Sequence, residues 1–329
     1  METQTHKLMG SSHLAAKAGA SNGGSAVIVR RRRPIPLVVR LRIRAVRDFL
    51  VGWTRLFSLS GLYNLGRFFG TLEYLTDYKR RRRVHDKLRS YFKDEFPAAW
   101  YRRMVWRYFM RIRCDKMFYT IMDRIPRSKL MNRIKMFGRE HLDNGLAREK
   151  GVYIALCHFG SHHVAGLMAA LMGYSLAGVR DPKESHVRRY IQEKYRDTFP
   201  EVAEMKMFLA SSFPREIYRQ FKSNKITASL LDAQRVRGDN TRTMPVHIFN
   251  GTAEFLVGPV RIALRCGATT VQGFVESRKN FYYRLIITPP LIDPNTPPDD
   301  EKATATVLEQ YAGGVERFAR EHPDHVMNI

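Results

Sequence analysis

From about residue 134 onward, short runs rich in β-branched and aromatic residues alternate with stretches of helical pattern. This alternation limits the fold more than any other feature. The runs are GVYIALC (151–157), YSLAGVR (174–180), KITASLL (225–231), PVHIF (245–249), ATTVQGFV (268–275) and YYRLIIT (282–288). Between them, Ser161 to Met172, FPREIYRQFKSN (213–224) and GPVRIALRCG (258–267) read as helices. Ser161 suits an N-cap, Pro259 sits early where its missing N–H costs nothing, and Gly267 supplies a stop. Apolar strands separated by helices predict an α/β fold, a central, mostly parallel sheet flanked by helices. Such sheets bind ligands beyond their strand ends, so the post-strand loops are where function is sought.

The N-terminal part has a different character. Residues 1–39, rich in Gly, Ser, Ala and Arg without a period, read as a disordered basic tail. Residues 40–125 read as amphipathic, membrane-associated helices, and residues 126–329 as the α/β domain. Trp100, Met104, Tyr108 and Ile112 recur every four positions, a helical packing stripe. Residues 1–120 hold 26 Lys and Arg against 8 Asp and Glu, so most of the net charge of +25 lies there, densest in RRRRP (30–34) and KRRRR (79–83). Such a balance favours a polyanionic partner: an anionic membrane face, a phosphorylated substrate or nucleic acid. No recognised nucleic-acid motif accompanies the charge, and nucleic acid is not expected as the partner. Residues 48–75 are aromatic and leucine-rich but interrupted by Arg55 and Arg67. That composition suits a segment lying in the headgroup region rather than crossing the bilayer. The N-terminus lacks the apolar core of a cleavable secretory signal. Cys114, Cys157 and Cys266 form no CxxC pair, which argues against a disulfide scaffold or a cysteine-rich zinc site.

CHFGSHHVAG (157–166) places three histidines in six positions, immediately after the strand GVYIALC. His158 is open to three readings: a catalytic base, half of a metal site, or a polar loop residue. His158 and His162 have the four-residue spacing of two helical metal ligands. Gly160 and Ser161, however, put the helix start after His158, and no HExxH pattern follows. No metal is expected. A base at a strand end suits acyl transfer to an alcohol, where the hydroxyl proton must leave as oxygen attacks a thioester. A second group, best an acid, would fix the other ring nitrogen. Cys157 reads as a small buried residue, since strand neighbours point to opposite faces.

At this point the chain resembles the bacterial lipid A late acyltransferases (lauroyl/myristoyl transferases) of the lysophospholipid-acyltransferase-like superfamily, over most of residues 60–325. The segments that carry the likeness, in order, are LGRFFGTLEYLTDYKRRRRV, FGREHLDNGLAREKGVYIALCHFG, GVRDP, LLDAQ, FNGTAEFLVGPVRIALRCGATTVQGF and REHPDHVM. HFGSHH (158–163) resembles the family's H-x4-D/E motif, with His163 standing where the family has an acid. The resemblance implies His158 as general base, with His163 at the dyad position and Asp232 supporting the site. It also implies Arg180 or Arg196 on the acceptor phosphate or developing charge. Arg189 and Gly258 join them as substrate-binding residues. Asp232 or Glu254 could instead supply the missing acid, or the chain could be a catalytically impaired member that binds membrane lipid. The implied donor is acyl carrier protein or acyl-CoA, and the acceptor a glycolipid or phospholipid hydroxyl. Anionic membrane lipids, no cofactor, and peripheral or monotopic placement on the cytoplasmic face of the bacterial inner membrane complete the expectation. The chain ends after HPDHVMNI without the family's Trp-rich terminus.

Overall fold

The computed structural model describes residues 34–180, 184–209, 213–232, 242–297 and 300–326. The arginine run 30–33 and the expected tail up to residue 33 lie outside them. Nine strands are present among the described residues: β1 (Ile134–Phe137), β2 (Val152–Leu156), β3 (Leu176–Arg180), β4 (Lys206–Leu209), β5 (Ile226–Leu230), β6 (Thr243–Ile248), β7 (Gly251–Leu256), β8 (Thr269–Arg278) and β9 (Tyr282–Ile287). Seven of them form one sheet in the order β1-β9-β8-β2-β5-β3-β4, and β6 and β7 pair as a separate hairpin. Every pairing in the large sheet is parallel except β8 with β9. The mostly parallel α/β sheet expected from the alternation is therefore present.

The two short strands not read from the sequence, β1 (IKMF) and β4 (KMFL), are the sheet's two edges. Each is four residues long with an exposed lysine, the usual protection of an edge, and so lacks the apolar run that betrays a central strand. GTAEFL forms β7, joined to β6 by the turn at Phe249-Asn250.

Helices cover both faces: α1 (Leu37–Thr76), α2 (Tyr78–Phe92), α3 (Ala98–Ile121), α4 (Arg127–Met131), α5 (Arg139–Ala147), α6 (Ala165–Leu171), α7 (His186–Thr198), α8 (Pro200–Ala203), α9 (Phe213–Lys222), α10 (Gly258–Arg265) and α11 (Asp300–Glu321). Successive residues of β2 point into different cores. Tyr153 and Ala155 pack with parts of α2, α9, α10 and α11. Val152 and Ile154 pack with parts of α1, α5, α6 and α7. The stripe predicted on α3 is buried, with Met104, Tyr108 and Ile112 in the first core; Cys114 to Ile121 continue into the second.

Helix α1 is broken at Ser58 (φ 63°, ψ 178°). Its second half buries Leu59, Leu62, Gly66 and Gly70, a three- and four-residue spacing that defines one face. The two glycines set the closeness of the crossing with α3. A Cβ on Gly70 would stand 2.5 Å from the Met110 Cα, and one on Gly66 2.8 Å from the Cys114 Sγ. The opposite face carries Phe68, Phe69, Leu72 and Leu75, all exposed. Among the described residues, no helix is long and apolar enough to cross a membrane.

Candidate functional site

The register of β2 with β5 builds the site. Leu156 pairs with Leu230, and the Leu231 N–H donates to the Leu156 carbonyl at 3.1 Å. His158 and Asp232 each lie two residues beyond that pair, so parallel strands deliver both to the same end of the sheet. The His158 backbone N–H donates to Asp232 Oδ2 at 2.8 Å, and His158 Nδ1 lies 2.9 Å from Asp232 Oδ1. Both carboxylate oxygens are thus engaged by one residue. The Asp232 side chain is 1% exposed, whereas that of His158 is 29% exposed. A carboxylate offers only acceptors, so the ring hydrogen sits on Nδ1 and Nε2 presents a lone pair.

The loop that carries His158 is anchored by a second buried carboxylate, Asp115 on α3. It accepts from Ser161 Oγ at 2.5 Å, Ser277 Oγ at 3.0 Å, the Tyr283 hydroxyl at 3.0 Å and Arg111 Nη1 at 3.0 Å. The C-terminal turn closes over the same loop: Gly160 N–H donates to the His325 carbonyl at 2.8 Å. The Ser277 N–H donates to His325 Nε2 at 3.1 Å, and Arg111 Nε to the Asp324 carbonyl at 2.9 Å. Gly160 has φ +63°, and a Cβ there would lie 2.1 Å from the Val275 carbonyl oxygen, so only glycine lets the loop turn beneath β8.

This anchoring corrects one expectation. Ser161 does not cap a helix: its hydroxyl donates to Asp115, residues His162–Val164 form a 3-10 turn, and α6 begins only at Ala165. The turn carries the His163 ring away from His158, placing it edge-on to Tyr119 at 4.9 Å and 5.8 Å from the His162 ring. The expected His158–His163 pair is therefore not formed; the nitrogen that His163 was to serve is held by Asp232. Desolvation pushes His163 down to about 4, against the opposing charge of Asp115. His162, whose ring lies 5.0 Å from that of His158, is pushed well below its ordinary value, first by desolvation and then by His163, His158 and Arg188.

The other predicted residues are scattered. Arg180 ends β3, but its side chain lies outside the described residues. Arg196 occupies the exposed last turn of α7 and donates to the Met205 carbonyl at 3.0 Å, about 12 Å along the helix from Arg188. The resemblance implied a substrate-binding role for it, and among the described residues its one side-chain hydrogen bond is this one to the Met205 carbonyl. Arg189 is half-buried in the same helix. Its neighbour Arg188 is the one that bonds Tyr119 and bears electrostatically on His162 and His163. Gly258 opens α10 and is exposed. The Leu256 N–H donates to the Leu231 carbonyl, bringing this helix start alongside Asp232. Glu254 is exposed on β7, opposite Pro245. Cys157 is buried and its thiol is pushed well above the ordinary range by desolvation, then by Asp232.

Lys87 on α2 escaped the sequence reading. Desolvation holds its ammonium down to about 8, opposed by the nearby charge of Asp232, and its Nζ lies 5.8 Å from the Tyr91 ring. A signal was present: Val84, Lys87, Leu88 and Tyr91 follow the i, i+3, i+4, i+7 spacing of a buried stripe, with a lysine inside it. The arrangement combines an oriented, partly exposed imidazole, a buried carboxylate on its Nδ1, and two cations, Lys87 acting electrostatically on that carboxylate and Arg188 on the neighbouring His162. That set can take a proton from a hydroxyl and hold an anionic substrate group. Among the described residues, no group of three or more His, Cys, Asp or Glu is placed to hold a metal ion.

The sequence model of the family described as bacterial lipid A biosynthesis acyltransferase matches residues 49–327, which includes every described element of the site. No curated protein matches the chain.

Proposed function

We propose that this chain, which belongs to the bacterial lipid A biosynthesis acyltransferase family, moves a fatty acyl group from a thioester carrier to a hydroxyl of a membrane glycolipid or phospholipid, with His158 as general base. The observation that carries the reading is the double engagement of Asp232 by His158, at 2.8 and 2.9 Å, which leaves Nε2 free to accept a proton.

The chemistry follows from that geometry. The acceptor oxygen attacks the thioester carbonyl while His158 Nε2 takes its proton, and Asp232 holds the ring and offsets the imidazolium charge. Collapse of the tetrahedral species breaks the C–S bond, and the proton on Nε2 passes to the leaving thiolate. The pairing with Asp232 supports an active enzyme over a lipid-binding relic, because the acid missing at position 163 is supplied from just beyond the end of β5. Lys87 bears electrostatically on Asp232, and Arg188 on His162 and His163, and both cations suit the phosphate of an acceptor or of a carrier's prosthetic group.

The exposed face of α1 supports work at a membrane. Leu56, Phe57, Phe68, Leu72 and Leu75 present apolar side chains beside Arg55 and Arg67, the pattern of a helix lying in the headgroup region. We place the protein on the cytoplasmic leaflet, where thioester donors, acyl carrier protein or acyl-CoA, are available. Lipid mass spectrometry of cells with and without the chain tests the reading, with His158→Ala as the matched control. Loss of one acyl chain from a single glycolipid or phospholipid class is expected in both the deletion and the variant. Unchanged lipids in the deletion, or full complementation by His158→Ala, would refute it.

A further inference from the structure

Beside the proposed base stands a second imidazole for which packing gives no account. The His162 ring meets that of His158 edge to face, with centroids 5.0 Å apart and planes at 75°. Its Nδ1 is sealed from solvent and has no hydrogen-bond partner among the described residues. An unpaired buried polar atom costs about 1–3 kcal/mol, a cost that a phenylalanine at the same place would avoid. Desolvation, joined by His163, His158, Arg188 and Arg111, keeps the ring uncharged.

The orphaned nitrogen also fixes where the ring hydrogen sits. We assign the bare lone pair to Nδ1 and the hydrogen to Nε2, the tautomer that leaves no buried N–H unpaired. His158 and His162 are then opposite tautomers: one offers a lone pair at Nε2, the other an N–H. An acyl transfer needs both, an acceptor for the hydroxyl proton and a donor for the oxygen that becomes negative.

We propose that His162 is a catalytic residue, its Nε2–H donating a hydrogen bond to the thioester carbonyl oxygen as the tetrahedral intermediate forms. The inference rests on the reading of His158 as base. No proton is transferred by His162. As the acceptor oxygen bonds to the carbonyl carbon, the π pair moves onto the carbonyl oxygen, and the N–H meets the developing charge. When the C–S bond breaks, the pair returns to the C=O. An uncharged imidazole is suited to the task, since it donates without the solvation a cation would demand, and neutral imidazole is known to polarise carbonyls in this way.

The test uses the full chain with dodecanoyl-CoA and, separately, dodecanoyl-acyl carrier protein, following thiol release in the presence of vesicles of bacterial glycolipid. His162→Phe is expected to lower kcat about 10²–10³-fold with KM for the thioester within about twofold, the loss typical of one oxyanion donor. His162→Gln, which restores an N–H donor, recovers at least about tenfold. Independently, ¹⁵N-resolved imidazole spectra should show a neutral Nε2–H ring, absent from His162→Phe, that stays uncharged where an ordinary histidine protonates. Wild-type kcat in His162→Phe beside an inactive His158→Ala overturns this inference alone, as does a spectrum placing the hydrogen on Nδ1. Full activity in His158→Ala, or a wild-type chain that releases no thiol, overturns the reading of the base and this inference with it.

Discussion

Replacing Asp232 by Asn tests the dyad with almost no change of shape. The side chain is 1% exposed and its two oxygens accept from two N–H groups of the same residue, the His158 backbone at 2.8 Å and the ring at 2.9 Å. An amide has only one oxygen to give. Turned toward the ring, it leaves its NH₂ facing the backbone N–H, a donor against a donor in a sealed site, at a cost of about 1–3 kcal/mol. Turned toward the backbone, it donates to Nδ1 and forces the ring hydrogen onto Nε2, where the lone pair is needed. The second arrangement satisfies every hydrogen bond and so prevails, which makes the damage chemical rather than structural.

The expected result is a fall in kcat of about 10³–10⁴, the scale on which a mis-set tautomer and a lost charge act in the Ser-His-Asp arrangement. The KM for the thioester should stay within about threefold and the melting temperature within a few degrees. Thiol release and a thermal melt of the same preparations measure both. His163→Glu is the informative companion, because it restores an acid at the position expected from the H-x4 spacing. Its carboxylate would lie in the desolvated pocket that holds His163 near 4, close to the charge of Asp115, and out of contact with His158. The double variant Asp232→Asn/His163→Glu should remain as slow as Asp232→Asn. A single Asp232→Asn variant within about tenfold of wild type, or a double variant restored toward wild type, would refute the assignment of Asp232 as the acid.

Three further outcomes follow from the same packing. Stability should fall between about pH 6.5 and 4: the unfolded chain protonates His163 at its ordinary 6.5, the folded chain only near 4, so up to about 3 kcal/mol is lost as pH falls and none above 6.5; urea titrations of wild type and His163→Gln measure the difference in slope. Asp115→Asn leaves the buried Arg111 without its carboxylate and loosens the loop at Ser161, so urea unfolding should register a loss of about 3–5 kcal/mol. Phe68→Ser with Leu72→Ser removes two exposed apolar side chains from α1 and should weaken sedimentation with anionic vesicles about 100-fold, while an unchanged partition would show that this face does not meet lipid.

Much of the fold was legible because central parallel strands are buried on both faces and so appear as unbroken apolar runs. Of β2, four of five residues are buried, and GVYIALC declares itself without reference to the rest of the chain. The edges do not, because IKMF and KMFL owe their strand state to a neighbour's hydrogen bonds and not to their own composition. The kink of α1 at Ser58 was equally hidden. The Ser-Gly pair in FSLSG is a weak sign of a break, and the close crossing with α3 at Gly66 and Gly70 is a property of two helices together.

The site divides along the same physical line. His158 could be picked out from the sequence because its candidacy depends on local order, a polar residue directly after a buried strand. Its partner could not be read from local order, because His158 and Asp232 stand 74 positions apart and are brought together only by the register of β2 on β5. Spacing along the chain pointed to His163, and spacing would have sufficed had the helix started at Ser161. Instead Asp115, reached from α3, takes the Ser161 hydroxyl, delays the helix to Ala165 and turns His163 toward Tyr119. In this chain a carboxylate stands at Nδ1 of His158 although position 163 is itself a histidine, because the register of β2 on β5 brings Asp232 there. Position 162 then carries an imidazole that stands against the proposed base with a nitrogen that packing leaves unpaired.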